Sequence, residues 1–289
     1  MKKVKAAWAL YRQNPIGLVG LGIMLFFISL ALFSEFIAPD PMNTANWYNE
    51  DAFLPPSWSN FVDPEAHTYG ILGTDHVGRD VLSQVIWGSR VSLIVGFFAA
   101  ALTLVIGLFV GLISGYLGGK VDTGISRMID LILTLPVLPL MVVLVATIGA
   151  GMWIIIAVIG LIWWTWTARV IRSQVLTIKE RTYIEVARAL GANNRHIISY
   201  HILPNVLPLL FANATTMISF SILAEAGVSF IGLGDPSKMS WGLMLFNAFQ
   251  FSAFIQFAWW VIIPPGLAIA LVVLAVFFIG QSIEKILRF

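Results

Sequence analysis

The chain has 289 residues, of which 58% are hydrophobic and only 11% are charged, whereas an average soluble domain carries roughly 25% charged residues. This composition predicts a membrane protein and excludes an ordinary soluble domain. The formal net charge of +2 says little until its distribution is considered, and the absence of cysteine excludes disulfide bonds, thiolate metal sites and a cysteine nucleophile.

Six stretches are long and apolar enough to cross a bilayer as helices, which takes about 20 mostly apolar residues each. They lie at about residues 16–37, 91–117, 128–149, 152–168, 205–230 and 256–282. The first is longer than the apolar region of a signal peptide, which has about 7–15 residues. No small-residue cleavage site follows it, so we expect it to be retained. The sequence therefore predicts an all-α polytopic membrane protein with six transmembrane helices.

Lysine and arginine are distributed unequally between the two sets of segments that connect these spans. One set comprises both termini and the loops at 118–127 and 169–204, and it holds 14 cationic residues. The other set holds only Arg79, Arg90 and Lys238. Cytoplasmic segments of membrane proteins carry the excess of positive charge. We therefore expect both termini and the 169–204 loop to be cytoplasmic.

The segment 38–90 is the largest predicted extramembrane piece and lies on the outer side. Together with the first span it forms one predicted unit, residues 1–90, and the five later spans form a second unit, residues 91–289. An amphipathic helix is expected at 79–88, lying along the membrane surface before the second span.

Three possible metal ligands, Asp75, His76 and Asp80, precede that helix. One histidine with two scattered carboxylates is a weak metal-binding pattern. We expect these residues to cap the helix and to form salt bridges at its start, and we expect no metal site.

The second span carries a small residue at every fourth position. These residues are Ala99, Thr103, Gly107, Gly111 and Gly115. Such a stripe lets two helix backbones approach closely inside a membrane. We predict that this face is buried against another helix of the complex.

The third and fourth spans differ in their local signals. The third begins with Asp130 and contains Pro136 and Pro139, so a kink is expected in it. The fourth ends in three tryptophans and the sixth begins with two, a pattern typical of side chains that anchor a helix at the membrane interface. The anchoring residues predicted in this way are Trp163, Trp164, Trp166, Trp259 and Trp260.

The fifth predicted span is the most polar. At about 100° per residue, Asn213, Thr215, Thr216 and Ser219 share one sector of the helix and Glu225 points elsewhere. Polar groups inside a membrane face a partner helix or a water-filled path, and the sequence leaves both open for the hydroxyl side chains. The candidate translocation path comprises Asn213, Thr216, Ser219 and Glu225. The segment that follows, 226–245, is interrupted by glycine and proline, so a re-entrant or surface segment is expected.

The polar loop at 182–204 contains two predicted short helices. Thr182 and Glu185 have the spacing of a capping box, which predicts a helix at 183–190. Gly191 supplies the left-handed residue with which many helices end. Asn193 or Asn194 is expected to cap a second helix, which would reach residue 203 before proline limits it.

The same loop carries the motif E-x-A-x3-G-x11-L-P, formed by Glu185, Ala187, Gly191, Leu203 and Pro204. It resembles the coupling loop of ATP-binding-cassette (ABC) importer permeases, whose usual form is E-A-A-x3-G-x9-I-x-L-P. Val186 and His201 depart from that form, and neither change removes a cap or a turn.

Three further stretches resemble the oligopeptide, dipeptide and nickel permeases of this class, and within them the second of the two permease subunits. They are residues 73–93, 111–136 and 225–245, the last of which contains EAGVSFIGLG and MSWGLML. With the coupling loop, the likeness covers most of the chain from Leu72 to Pro265. The C-terminal GQSIEKILRF matches the family ending poorly.

The resemblance implies a type I ABC importer permease fold in the cell (inner) membrane, with a cytoplasmic coupling helix in the 180–204 loop. It implies a homologous second permease, two ATPase subunits that bind ATP and Mg²⁺, and an extracytoplasmic binding protein that delivers oligopeptides or dipeptides. No cofactor and no nucleic acid is expected for this chain itself. The residues implied in ATPase coupling are Tyr183, Glu185, Ala187, Arg188, Ala189, Gly191 and Ala192.

Other functions remain open at this point. The chain has no G-x4-G-K-[ST] phosphate loop and no assembled set of nucleophile, base and acid. An enzyme, such as an intramembrane hydrolase, is therefore not expected. The same machinery importing oligosaccharides or nickel is an alternative, and a secondary transporter is a second one. A secondary transporter would need coupling carboxylates at the middle of the membrane, whereas Asp130 and Glu225 lie near the ends of predicted spans.

Overall fold

The computed structural model describes residues 11–43, 52–56 and 70–287. Within these ranges the protein is almost entirely helical, and the extended pairing is a single bridge between Thr74 and Asp80. The helices are α1 (Pro15–Leu32), α2 (Ser34–Ile37), α3 (Val81–Leu117), α4 (Gly119–Thr134), α5 (Val137–Ile148), α6 (Met152–Lys179), α7 (Thr182–Ala189), α8 (Asn194–His196), α9 (Leu203–Val228), α10 (Trp241–Gln250) and α11 (Trp259–Leu287). Two π-helical segments, Ile197–Ile202 and Ser229–Leu233, precede and follow α9.

Five helices in the described ranges are long and apolar enough to cross a membrane: α1, α3, α6, the helical stretch that contains α9, and α11. A sixth crossing is formed if α4 and α5 together make one span. This confirms the predicted all-α polytopic class. The predicted division at residue 90 stays a prediction. The first lysines of the chain and the acidic residues Glu50, Asp51, Asp63 and Glu65 lie outside the described residues.

The helix predicted at 79–88 is not a separate surface helix, so that prediction is wrong. It is the first part of α3, which runs without interruption from Val81 into the membrane-crossing segment. The Asp80 carboxylate caps α3 by accepting the Ser83 N–H at 2.7 Å. At Gly88 a Cβ atom would lie only 2.8 Å from the indole of Trp241. Trp241 of α10 therefore covers the face that was expected to lie on lipid.

The predicted kink in the third span is confirmed and is severe. The axes of α4 and α5 differ by 90° across Leu135 and Pro136. Proline disfavours the helical conformation in the residue before it and has no N–H to donate. Accordingly, Leu135 is extended, with ψ at 138°. On α4, Asp122 accepts two hydrogen bonds from the Arg172 guanidinium of α6, one of them at 2.6 Å.

The stripe of small residues on α3 is buried against another helix, as predicted, and that helix is α6 of the same chain. A Cβ atom at Gly107 would lie 2.5 Å from the Cβ of Thr167. At Gly111 it would lie 2.8 Å from the backbone oxygen of Ala168, and at Gly115 it would lie 2.8 Å from the Cβ of Val175. Because glycine has no side chain, the backbones of α3 and α6 come into close contact at these three positions.

The tryptophans predicted to end the fourth span do not lie at a helix end. The prediction stopped that span at residue 168, but α6 continues to Lys179 because Arg169 and Arg172 are paired with carboxylates of α4. Trp164 is buried, and the Trp163 ring stacks on Phe220 with centroids 4.9 Å apart. Trp166 alone of the three is exposed.

The tryptophans predicted to begin the sixth span lie at the start of α11. Trp259 is exposed, as an interface residue would be. Trp260 is buried instead, and its indole N–H donates to the Thr74 carbonyl at 3.1 Å. It therefore fixes the outer segment to the helix bundle.

Candidate functional site: the polar loop between α6 and α9

The first helix of the polar loop, α7, is not held by a capping box, so that detail of the prediction is wrong. Arg181 is the N-cap residue, and no side chain caps the helix. Since the helix begins at Thr182, one residue earlier than expected, the Thr182 backbone is already helical. The backbone N–H of Ile184 donates to the Arg181 carbonyl at 2.9 Å, and that of Glu185 donates to the same oxygen at 3.4 Å.

The C-terminus of α7 has the predicted left-handed glycine. Gly191 has φ at 85°. Its N–H donates to the Arg188 carbonyl at 2.9 Å, and the Ala192 N–H donates to the Ala187 carbonyl at 3.0 Å. This pair of hydrogen bonds is a Schellman motif, which satisfies the last carbonyl groups of the helix. The spacing of alanine and glycine in the motif is thus explained by backbone geometry.

The second helix of the loop begins as predicted and ends differently. The Asn193 side chain accepts the His196 N–H at 2.8 Å, which confirms the N-cap. Pro204 does not end the helix, because the π-helical segment Ile197–Ile202 precedes it and Pro204 lies in the first turn of α9. The His201 carbonyl accepts a hydrogen bond from the Asn205 amide instead. The chain is consequently helical from Asn194 to Leu233.

A cluster of buried side chains beneath α7 holds the loop on the helix bundle. Ile184 is fully buried there, together with Ile171 of α6 and Ile197 of the π-helical segment. Tyr116, at the end of α3, donates its hydroxyl to the Asn194 side chain at 2.7 Å. Its ring also lies 5.7 Å from the Arg188 guanidinium carbon. Neither Tyr116 nor Ile184 was predicted from the sequence, although Ile184 is an apolar residue within a polar stretch.

The opposite face of α7 is exposed and partly apolar. Tyr183, Val186 and Leu190 have 45%, 51% and 82% of their surface exposed. Their spacing places them on one side of the helix. Glu185 and Ala189 are also exposed, and the Glu185 carboxylate forms no hydrogen bond or ion pair with any described residue. Chemically, this helix offers a compact apolar surface with an adjacent carboxylate, which is suited to binding a protein.

The predicted path residues on α9 do not form one group. Thr216 and Ser219 line a cavity of 390 Å³ between α9 and α11, together with Thr215. Asn213 instead donates to the Thr167 hydroxyl of α6 at 3.1 Å, which is the interhelical hydrogen bond that was left open.

Glu225 lies in a different environment, where it is completely enclosed. Its carboxylate accepts hydrogen bonds from Ser229 at 2.7 Å and from Ser92 of α3 at 3.1 Å. Ser92 in turn accepts the backbone N–H of Trp241 at 3.3 Å. Glu225 therefore does not line the cavity that Thr216 and Ser219 line. The segment that was expected to be re-entrant folds back over it, turning at Gly232, whose φ is 89°.

The segment before α3 forms the expected salt bridge and cap. The Asp75 carboxylate accepts a hydrogen bond from the Arg79 guanidinium at 2.8 Å and another from the Gln84 amide at 3.1 Å. The His76 ring stacks on Phe251 with centroids 3.7 Å apart. Burial lowers the pKa of the His76 imidazole, which Asp75 partly opposes and Arg79 enhances. No group of three or more potential metal ligands occurs within the part of the chain that the structure describes.

These features define a multi-spanning membrane protein with a polar loop that carries an exposed helix. The chain matches the family of the inner membrane component of binding-protein-dependent transport systems over residues 107–288. Residues 4–56 match the N-terminal transmembrane domain of oligopeptide transport permease C. The protein belongs to this family of permeases and is a permease subunit of an ABC importer.

Several curated relatives extend over nearly the whole chain. A di/tripeptide transport system permease protein of Pseudomonas aeruginosa (strain UCBPP-PA14) is 34% identical over 98% of this chain and 91% of its own length. A dipeptide transport system permease protein of Alkalihalophilus pseudofirmus is 36% identical over 98% of this chain and 88% of its own length. A probable D,D-dipeptide transport system permease protein of Escherichia coli (strain K12) is 33% identical over 98% of this chain and 90% of its own length. The resemblance found in the sequence motifs is thereby confirmed.

Proposed function

We propose that this permease forms part of the translocation path of an ATP-driven importer for dipeptides or other short peptides. The similarity to permeases named for di- and tripeptide transport supports this substrate class. An extracytoplasmic binding protein would deliver the peptide, and a homologous second permease would complete the path. Two cytoplasmic subunits would bind ATP and Mg²⁺ and hydrolyse the ATP, so that this chain is not itself an enzyme.

The proposed orientation places both termini and the polar loop in the cytoplasm. The unequal distribution of 14 against three cationic residues supports it. In this orientation the cavity between α9 and α11 lies within the membrane-spanning part of the chain. Its hydroxyl groups, from Thr216 and Ser219, make it the best candidate for a segment of the peptide path.

The coupling role is supported by the two faces of α7, one of which is buried on the helix bundle while the other is exposed. Ile184 fixes one face of the helix to the bundle, and the other face exposes Tyr183, Val186 and Leu190. An apolar patch of this kind marks a site of protein interaction. We assign the exposed face to a cleft on an ATPase subunit. The residues proposed for this contact remain Tyr183, Glu185, Ala187, Arg188, Ala189, Gly191 and Ala192.

Cysteine cross-linking tests both the docking site and the orientation, because the chain has no cysteine of its own. We expect Ala189→Cys, on the exposed face of α7, to cross-link to cysteines in a cleft of the ATPase subunit. Ser237→Cys, on the side that we propose to be external, serves as the matched control and should not cross-link. Labelling of Ala189→Cys by an impermeant reagent added to intact cells would contradict both the orientation and the docking site.

Transport assays with the reconstituted complex test the substrate class. We expect uptake of a labelled dipeptide that requires ATP and the ATPase chains. Preferential uptake of an oligosaccharide or of nickel would instead support the alternative cargo. Uptake by this chain alone, driven by a proton gradient, would identify a secondary transporter.

A further inference from the structure

Two adjoining cavities lie at the end of α3 opposite the polar loop. The first has a volume of 360 Å³ and a polar rim that includes Asp40, Arg90 and Lys238. The second has a volume of 430 Å³ and lies between α1 and α3. Arg90 and Ile94 line both cavities, so the two adjoin along α3 and together offer a polar and an apolar part.

The polar part contains charges of both signs. The Arg90 guanidinium contacts the Glu35 carboxylate at 2.6 Å and lies 5.9 Å from the ring centre of Trp87. Arg90 has five N–H donors, and this ion pair uses one of them. Lys238 is exposed. Two cations, Arg90 and Lys238, therefore lie near the carboxylate of Glu35, whose side chain is 59% exposed. A ligand that itself carries one charge of each sign therefore suits this part of the site.

A further carboxylate, Asp235, lies near Lys238 but is already engaged. It accepts the backbone N–H of Met152 at 3.2 Å and the hydroxyl of Ser237 at 2.6 Å. Its hydrogen-bonding capacity is thus used to hold the outer turn against the start of α6. Lys238 lies close enough to contribute to the lowered pKa of the Asp235 carboxyl, and no ion pair with a described residue holds its ammonium group.

The apolar part of the site is suited to hydrocarbon. It is lined by Ile28, Ala31 and Leu32 of α1 and by Leu93, Phe97 and Phe98 of α3. Leu32 and Phe98 are exposed, and no described residue closes the groove on that side. From Arg90 to Phe98 the helix rises about 12 Å at 1.5 Å per residue. This is long enough for the first part of an acyl chain.

We propose that this site binds a zwitterionic glycerophospholipid with an ethanolamine headgroup, in the leaflet opposite the polar loop. Arg90 and Lys238 bind the phosphate, Glu35 accepts hydrogen bonds from the ammonium group, and one acyl chain lies in the groove between α1 and α3. A short peptide is also zwitterionic, but its backbone N–H and C=O groups would find no partners in an apolar groove that opens to lipid. The assignment to the outer leaflet rests on the proposed orientation, whereas the site itself does not.

Lipid binding to the purified full-length chain tests the proposal. The chain is titrated in a non-ionic detergent with dioleoyl phosphatidylethanolamine, and bound lipids are counted by native mass spectrometry. Dioleoyl phosphatidylcholine, whose methylated ammonium donates no N–H hydrogen bond, and anionic dioleoyl phosphatidylglycerol are compared with it. We expect one phosphatidylethanolamine to bind about tenfold more tightly than either, the effect of losing a charge-assisted hydrogen bond.

Two variants and a matched control separate this site from general lipid adhesion. Arg90→Gln removes the phosphate ligand, Ala31→Phe fills the groove, and each should weaken binding of phosphatidylethanolamine about tenfold. Arg169→Gln is the control, because its side chain is 50% exposed and paired with Asp130, much as Arg90 is 43% exposed and paired with Glu35. The control should bind as the unmodified chain does.

Three results would overturn the proposal. They are equal binding of the three lipids, unchanged binding in Arg90→Gln, and displacement of the lipid by trialanine. The last result would instead identify a peptide site. None of these measurements involves ATP, a binding protein or transport, so the proposal can fail while the proposed function holds, and the reverse is equally possible.

Discussion

Replacing Gly111 by leucine should separate the two most closely packed helices of the protein. A Cβ atom at this position would lie 2.8 Å from the Ala168 carbonyl oxygen, which is 0.6 Å less than the 3.4 Å at which ordinary contact begins. The obstructing atom belongs to the α6 backbone, so a change of rotamer cannot relieve the clash. The helices must move apart, and the remaining atoms of the leucine side chain increase that displacement.

The expected loss of stability follows from two opposing effects. Overpacking a well-filled interior destabilises by about 1–3 kcal/mol, and a leucine at a helix–helix contact belongs at the upper end of that range. Replacing glycine within a helix by leucine stabilises the helix by about 0.8 kcal/mol through its higher helix propensity. The net loss is about 2 kcal/mol, which for a chain of this size lowers the Tm by about 3 °C.

Thermal unfolding of the detergent-purified chain, followed by size-exclusion chromatography after heating, measures this difference. Gly22→Leu is the control, because Gly22 lies in the membrane-crossing helix α1 and no atom of a neighbouring residue lies within 4 Å of a Cβ placed there. It should unfold at the temperature of the unmodified chain or slightly above it. If Gly111→Leu and Gly22→Leu had the same Tm, the close contact between α3 and α6 would be refuted.

Three further outcomes are expected. Gly191→Val should reduce the transport per ATP hydrolysed in the assembled transporter while leaving assembly intact. A φ of 85° is strained for a β-branched residue, although no neighbouring atom obstructs the side chain. Wild-type coupling of this variant in vesicles would contradict the prediction. Glu185→Lys should weaken pull-down of the ATPase subunit, since it places a cation in the first turn of a helix, an effect of about 0.5–1 kcal/mol; membrane insertion, measured by fractionation, should be unchanged. Because the pKa of His76 is lowered, the folded state binds a proton to this imidazole less readily than the unfolded state does. The contribution of His76 to folding stability is therefore fully present above the unfolded pKa of about 6.5 and is lost as the pH drops through that value. The Tm should therefore decrease between about pH 7.5 and about pH 5.5, and His76→Gln should show a smaller decrease.

Features that depend on a few neighbouring residues could be predicted from the sequence. The left-handed conformation of Gly191, the cap at Asn193 and the bend at Pro136 all follow from local backbone chemistry, and the structure confirms them. The burial of the small-residue stripe also follows from spacing alone. Its partner could not be identified in this way, because nothing in the spacing distinguishes α6 of the same chain from a helix of another subunit.

Features that depend on distant parts of the chain could not be predicted. Glu225 is buried because the segment after α9 folds back over it, and no pattern around Glu225 records that fold. The capping box was also wrong: α7 begins at Thr182, one residue earlier than its spacing predicts, and Ile184 of its first turn is buried in the cluster with Ile171 of α6. Trp164 is buried because α4 packs beside α6, which became possible only with the 90° bend before α5.

The helical stretch from Asn194 to Leu233, which is regular up to the turn at Gly232, has the length of a lever arm. Its 40 residues correspond to a length of about 60 Å at 1.5 Å per residue. One end lies directly after the loop that carries α7, and the other end lies beside the turn that encloses Glu225. For a rod of this length, a tilt of about 5° about one end displaces the other end by about 5 Å. If the stretch tilts as one rod, a small movement at the polar loop becomes a displacement comparable to a helix radius beside Glu225, with no change in secondary structure.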